Sequence, residues 1–95
     1  MDITITDVAE HHRYEAITSD GLVGVLEYRR EPGLIFFDHA ETEPAYRGHG
    51  IAAEVVAKAM AAARDEGLKV VPRCSYVRSW IEQHPEFQPL VATAS

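Results

Sequence analysis

The stretch Arg47-Gly48-His49-Gly50-Ile51-Ala52 carries the most legible chemistry in this chain. It follows a strand-like apolar run, Leu34 to Glu41, and opens a run with helical spacing. No Ser, Thr, Asp or Asn stands near the start of that helix, so no side chain satisfies its first amide donors. Bare N–H groups at the positive end of a helix dipole attract an anion, and Arg47 adds a cationic side chain. Two glycines let the backbone come close to a bulky phosphate. The plain alternative is a tight turn into a helix with no ligand at all.

Cys74 is the single cysteine. It stands between a strand-like and a helix-like run, next to Arg73 and one turn before Arg78. A cysteine near a helix N-terminus with cationic neighbours holds more thiolate, the reactive species. A lone cysteine is also commonly a small buried hydrophobe, and the residue types leave both readings open.

Gly-rich turns of this kind occur in several phosphate-binding families. A P-loop needs Lys and then Ser or Thr after its last Gly, whereas Ile51 and Ala52 stand here. Gly48, Gly50 and Ala53 fit the dinucleotide pattern G-x-G-x-x-A. That pattern wants an acid about 20 residues on, and positions 68–72 hold none. Arg47-x-x-Gly50-x-Ala52 resembles the acyl-CoA-binding signature of the GNAT superfamily of N-acyltransferases. The run HAETEPAYRGHGIAAEVVAKAMAAAR looks like the strand, phosphate loop and helix of that fold. VVPRCSYVRSWIEQHPEF is similar to a small single-domain subfamily with a Cys after the fifth strand. Together these runs cover residues 39–87.

By this resemblance, Arg47, Gly48, His49, Gly50, Ile51 and Ala52 hold the CoA pyrophosphate. The strand edge at Glu41 and Thr42 takes the pantetheine arm. Cys74 matches the subfamily's proposed catalytic cysteine. His39 then lies close to the arm, where a neutral imidazole takes a proton from an attacking amine. Glu41, two residues on along the same strand face, is a rival base. Tyr76 is placed to protonate the departing CoA thiolate, or else packs against Trp80 one turn on. An amide of the fourth strand would stabilise the oxyanion. The donor implied is acetyl-CoA, and the acceptor an amine, either a small molecule or a protein lysine.

The elements that must position these groups are readable from periodicity. Ile3, Ile5 and Val8 mark a first strand, Tyr14 to Thr18 a second, Leu22 to Tyr28 a third and Leu34 to His39 a fourth. Ser19-Asp20-Gly21 and Arg30-Glu31-Pro32-Gly33 are turns. Gly24 inside a strand marks a bulge or a close backbone approach. From Ile51 to Glu66 the spacing is helical, with Ala52, Val56, Ala59, Met60 and Ala63 on the inner face and Glu54 paired to Lys58 on the outer. Gly67 caps this helix, Leu68 to Pro72 is a fifth strand, and Ser75 to Gln83 a short helix stopped by Pro85. Glu86 to Ser95 reads as an irregular, frayed tail. The pattern predicts an α/β (mixed α+β) fold, a minimal GNAT-like domain spanning 1–95. It has a twisted, mostly antiparallel sheet, a long helix after strand four and a short one after strand five.

Composition bounds what this fold can serve. With 95 residues the chain makes one modest core. Its 15 acidic and 9 basic residues give a net charge of −6, against nucleic-acid binding through a basic surface. The charge is uneven, with −7 over residues 1–46 and +1 over 47–95, so an anion prefers the second half. The longest apolar run is five residues, Ala59 to Ala63, far short of a membrane span. The N-terminal residues do not resemble a secretory signal, and one cysteine with scattered histidines makes no zinc signature, which suits a reducing cytoplasm. The expected activity is acetyl transfer to an amine. The alternative is a non-catalytic CoA-binding or interaction module, since so short a chain lacks the added helices and strands that build acceptor pockets in larger members.

Overall fold

A computed structural model describes residues 2–92. Five strands form one sheet in the order β1-β2-β3-β4-β5. They are β1 (Thr4–Val8), β2 (Arg13–Thr18), β3 (Gly21–Glu31), β4 (Leu34–Thr42) and β5 (Lys69–Pro72). The first four make an antiparallel meander, and β5 joins β4 in parallel. A parallel neighbour needs a crossover, and α1 (Ile51–Asp65) supplies it. The shorter α2 (Ser75–Glu82) follows β5. This is the mixed α/β fold with a mostly antiparallel sheet that the sequence predicts. Among the described residues no helix is long and apolar enough to cross a membrane.

One face of α1 closes the core. Ile51, Val55, Val56, Ala59, Met60 and Ala63 are buried against Tyr14, Leu26, Ile35, Phe37 and Val70 of the sheet. The buried stripe thus includes Ile51 and Val55, while Ala52 turns partly outward. Ile51 finds room because Gly24 has no side chain: a Cβ there would lie 3.3 Å from Ile51 Cγ2. Beside it, Val23 is an extra residue between the pairs Ala16↔Gly24 and Ile17↔Leu22, which turns Val23 inward as well. The bulge expected at Gly24 is present, and the group that approaches it most closely is the Ile51 side chain. At the other end of α1, Gly67 adopts φ +71°, and Leu68 N–H and Gly67 N–H close back onto Ala63 O and Arg64 O at 2.9 and 3.1 Å.

Two local expectations are corrected. Lys58 does not pair with Glu54; its Nζ donates to Ile5 O of β1 at 2.9 Å. An exposed i,i+4 ion pair contributes only about 0.3–0.5 kcal/mol, so a backbone carbonyl within reach competes easily. The tail is ordered through Ala92. Pro85–Leu90 forms a 3-10 helix, Val91 bridges to Val70, and Ala92 N–H donates to Val70 O at 2.8 Å. Phe87, Leu90 and Val91 pack against the core, so apolar burial outweighs the entropy of ordering them. The expected fraying at 93–95 lies outside the described residues.

Away from the phosphate-loop motif, Tyr28 Oη donates to Asp7, and Arg30 bridges Asp7 at 3.4 Å and Glu66 at 3.0 Å. This ties β1, β3 and the end of α1 together. Tyr14 lies beneath, its ring 5.7 Å from that of Tyr28. Burial, and secondarily the Asp7 charge, push the Tyr14 hydroxyl up to about 12.

Candidate active site

The site begins with a change of partners along β4. Leu34 to Phe37 lie between β3 and β5. Phe37 O accepts from both Arg73 N–H (3.0 Å) and Cys74 N–H (2.9 Å), which ends the parallel ladder. Asp38 is then one residue too many, because Tyr28 pairs with Phe37 and Glu27 with His39. Such a bulge bends the strand. Beyond it, 39–42 pair with β3 and, among the described residues, face no strand on their other side. One oxygen of Asp38, Oδ1, is buried without a partner, while Oδ2 accepts from Arg29 Nε at 3.4 Å.

The unpaired half of β4 runs into the phosphate-loop motif. A 3-10 turn, Pro44–Tyr46, separates them. Gly50 is the N-cap of α1 at φ +75° and carries no capping side chain. The first helical bond is Glu54 N–H to Gly50 O at 3.1 Å, so the amides of Ile51, Ala52 and Ala53 have no carbonyl to meet within the helix. Gly48 is also left-handed, at φ +85°. A Cβ on Gly48 or Gly50 would touch nothing within 4 Å, so conformation demands glycine here and the space over the amides stays open.

These features share one cleft of about 570 Å3. His39, Glu41, Thr42, Arg47, Gly48, Gly50, Ile51, Ala52 and Tyr76 line it, together with Ala40 and Tyr46. His39 Nε2 and Glu41 Oε2 are 3.9 Å apart on one strand face, with the side chains 55% and 68% exposed. Arg47 Nε donates to Thr42 O at 3.4 Å. Tyr76 is exposed, and Trp80 stacks on His84 and meets Phe87 instead of Tyr76. His84 Nδ1 lies 2.7 Å from Trp80 O at the end of α2.

Two candidates stand apart. His49 is in the loop but does not line the cleft; its ring is 6.4 Å from that of Tyr46. Cys74 is the N-cap of α2 and belongs to the buried core, at 9% exposure. Its cationic neighbours are turned to other work. Arg78 donates to Pro72 O (3.1 Å) and Arg73 O (2.7 Å), and the Arg73 guanidinium lies over the Phe36 ring at 5.5 Å. Of the two readings of Cys74, its place in the buried core fits the small buried hydrophobe. The residue types do not name Ala40 and Tyr46; the 3-10 turn opened by Pro44 brings Tyr46 in, and the unpaired strand edge brings Ala40.

An unpaired strand edge leading to an uncapped helix start, on a meander with one parallel crossover, is the arrangement the sequence resemblance leads one to expect. The family model described as GCN5-related N-acetyl-transferase matches residues 13–90. The chain belongs to this family. Among solved structures, a GCN5-like protein from Staphylococcus aureus, determined by NMR, superposes with a TM-score of 0.66 at 17% identity, covering 99% of this chain and 90% of that one. A ribosomal-protein-alanine N-acetyltransferase from Brucella melitensis biovar Abortus 2308 superposes with a TM-score of 0.56 at 23% identity, covering 87% of this chain and 63% of that one. These likenesses concern the fold. No curated protein matches the sequence.

Proposed function

We propose that the protein transfers an acetyl group from acetyl-CoA to an amine. The observation that carries this reading is the continuity of one cleft from the unpaired half of β4 to the bare amides of α1. The residues present fit the donor. The amides of Ile51, Ala52 and Ala53, with Arg47, suit its pyrophosphate. The free backbone edge at 39–42 suits its amide-bearing arm, which would bind as an added strand. When bound, the thioester supplies an activated acetyl carbon and a leaving thiolate.

The chain's own residues would then do the rest. His39, with Glu41 beside it, accepts the proton of the attacking ammonium, freeing its lone pair to form the new C–N bond. Tyr76 donates a proton to the sulfur as the C–S bond breaks. A backbone amide of the unpaired edge holds the developing oxyanion. Holding donor and acceptor together supplies much of the rate. The burial of Cys74 supports direct attack by the amine over an acyl-enzyme at that sulfur.

Thermal unfolding with acetyl-CoA, CoA and NADPH tests the donor. A ligand that binds the native state raises the midpoint. Acetyl-CoA and CoA are expected to do so; a rise with NADPH alone would overturn the reading. Free-thiol release with an amine panel separates an enzyme from a binding module. Cys74→Ala is expected to keep that release, and its abolition in a folded variant would restore the acyl-enzyme route.

A further inference from the structure

The chain leading into α1 is tied to a distant turn. Antiparallel pairing of Gly24 with Thr42 sets the residues after β4 beside those before Gly24. Glu43 N–H donates to Val23 O at 2.8 Å, which carries the pairing one step past the strand end. The chain then turns through Pro44–Tyr46, closed by Tyr46 N–H to Glu43 O at 2.8 Å and Arg47 N–H to Pro44 O at 3.3 Å. This brings Tyr46 to the turn between β2 and β3, where its hydroxyl donates to Asp20 Oδ2, 26 residues away in sequence. Asp20 is itself held, since its N–H donates to Thr18 Oγ1 at 3.1 Å. The ionised Tyr46 oxygen would face this carboxylate, so the bond raises the hydroxyl above its ordinary value.

The tie stands where the phosphate loop has little else to hold it. Gly48 and Gly50 are both left-handed, and glycine has the most backbone freedom to lose on ordering. No side chain caps α1. Among the described residues, Tyr46 and Arg47 alone of 43–50 make side-chain hydrogen bonds. Arg47 bonds Thr42 O, close by in the same stretch of chain, so Tyr46 alone reaches across to another hairpin. The Tyr46 ring also lines the cleft beside Gly48 and Gly50, and the His49 ring lies 6.4 Å from it. Fixing this tyrosine therefore fixes one wall of the cleft and the point from which the loop departs.

Resting on the donor reading above, we infer that Asp20 is a positioning residue for the donor's pyrophosphate, acting through Tyr46. Asp20 itself touches no substrate. It holds the loop in its binding conformation before the donor arrives, so less ordering remains to be done on binding. Donor affinity thus depends on a turn two strands away from the helix that supplies the amides.

The test is calorimetric titration with CoA, which needs no acceptor. Asp20→Ala is expected to raise the CoA Kd about fivefold, the scale of one hydrogen bond. Tyr46→Phe removes the same bond and should raise Kd equally, and the double variant no further. Asp20→Asn keeps an acceptor oxygen and should recover most of the loss. Tyr28→Phe removes the other tyrosine–aspartate bond, to Asp7, and should lower the unfolding midpoint while leaving the CoA Kd in place. Unmoved Kd in folded Asp20→Ala and Tyr46→Phe overturns the inference while sparing the donor reading. Additive effects of the two substitutions, no recovery with Asn, or an equal rise with Tyr28→Phe also overturn it. No CoA binding by the unmutated protein overturns both readings.

Discussion

The two halves of β4 share a strand and differ in what their backbones do. Residues 34–37 spend their hydrogen bonds on β3 and β5, and Ile35 and Phe37 are almost wholly buried. Residues 39–42 spend theirs on β3 alone, and their side chains are half-buried or exposed. One extra residue, Asp38, separates the regimes. The first half contributes to stability through burial; the second is held in place by the first and keeps a free edge. Fold and site are thus adjacent segments of one element.

Variants on either side of Asp38 test this division. The largest effect is expected from Phe37→Ala, which leaves a cavity at the centre of the sheet. It should lower stability by about 3–5 kcal/mol in urea titration. A loss below about 1 kcal/mol would mean that the paired half does not anchor the sheet. Next comes His39→Gln, in the open half. Its turnover should drop about 100-fold, the low end for a general base, with the melting temperature unchanged. A stability loss matching that of Phe37→Ala would erase the distinction. Gly50→Ala forces a side chain into a left-handed conformation, costing about 1–2 kcal/mol. It should also shrink the midpoint shift given by acetyl-CoA, because the amides it orients would turn.

The smallest effect sharpens the paired side. Tyr14 has its hydroxyl raised from 10.0 to about 12 by burial. The folded state therefore holds that proton more tightly than the unfolded chain. Its contribution is full below pH 10.0 and is lost as pH rises toward about 12. Urea midpoints should fall over that window, and Tyr14→Phe should flatten the fall. Some slope will remain, since the Tyr28 hydroxyl is raised too, by burial and by its bond to Asp7.

What the sequence disclosed was local. Helix α1 announced itself through its spacing and through Gly67, and the absence of a capping residue before Ile51 pointed to its bare amides. Gly24 could be flagged, but not that Ile51 would be the group resting on it. The bulge at Asp38 is invisible in sequence because it depends on register with Glu27 and Tyr28 of β3. The seat of Val91 against Val70 and the reach of Lys58 to Ile5 are equally non-local, so neither follows from local spacing. For Cys74, the neighbouring arginines suggested a reactive thiol. Their guanidiniums point instead at carbonyls and at Phe36, choices set by the end of β5.

The seat of Val91 against Val70 has one more consequence. Exposed strand edges invite other chains to pair with them and seed aggregates. Here Val91 and Ala92 cover part of the outer edge of β5, and Lys69 adds a bond to Pro89 O at 2.9 Å. The free edge of β4 lines a cleft together with Tyr76 of α2 and Ile51 of α1. The edge of β5 is thus partly covered, while that of β4 opens into the cleft where the proposed donor would pair with it.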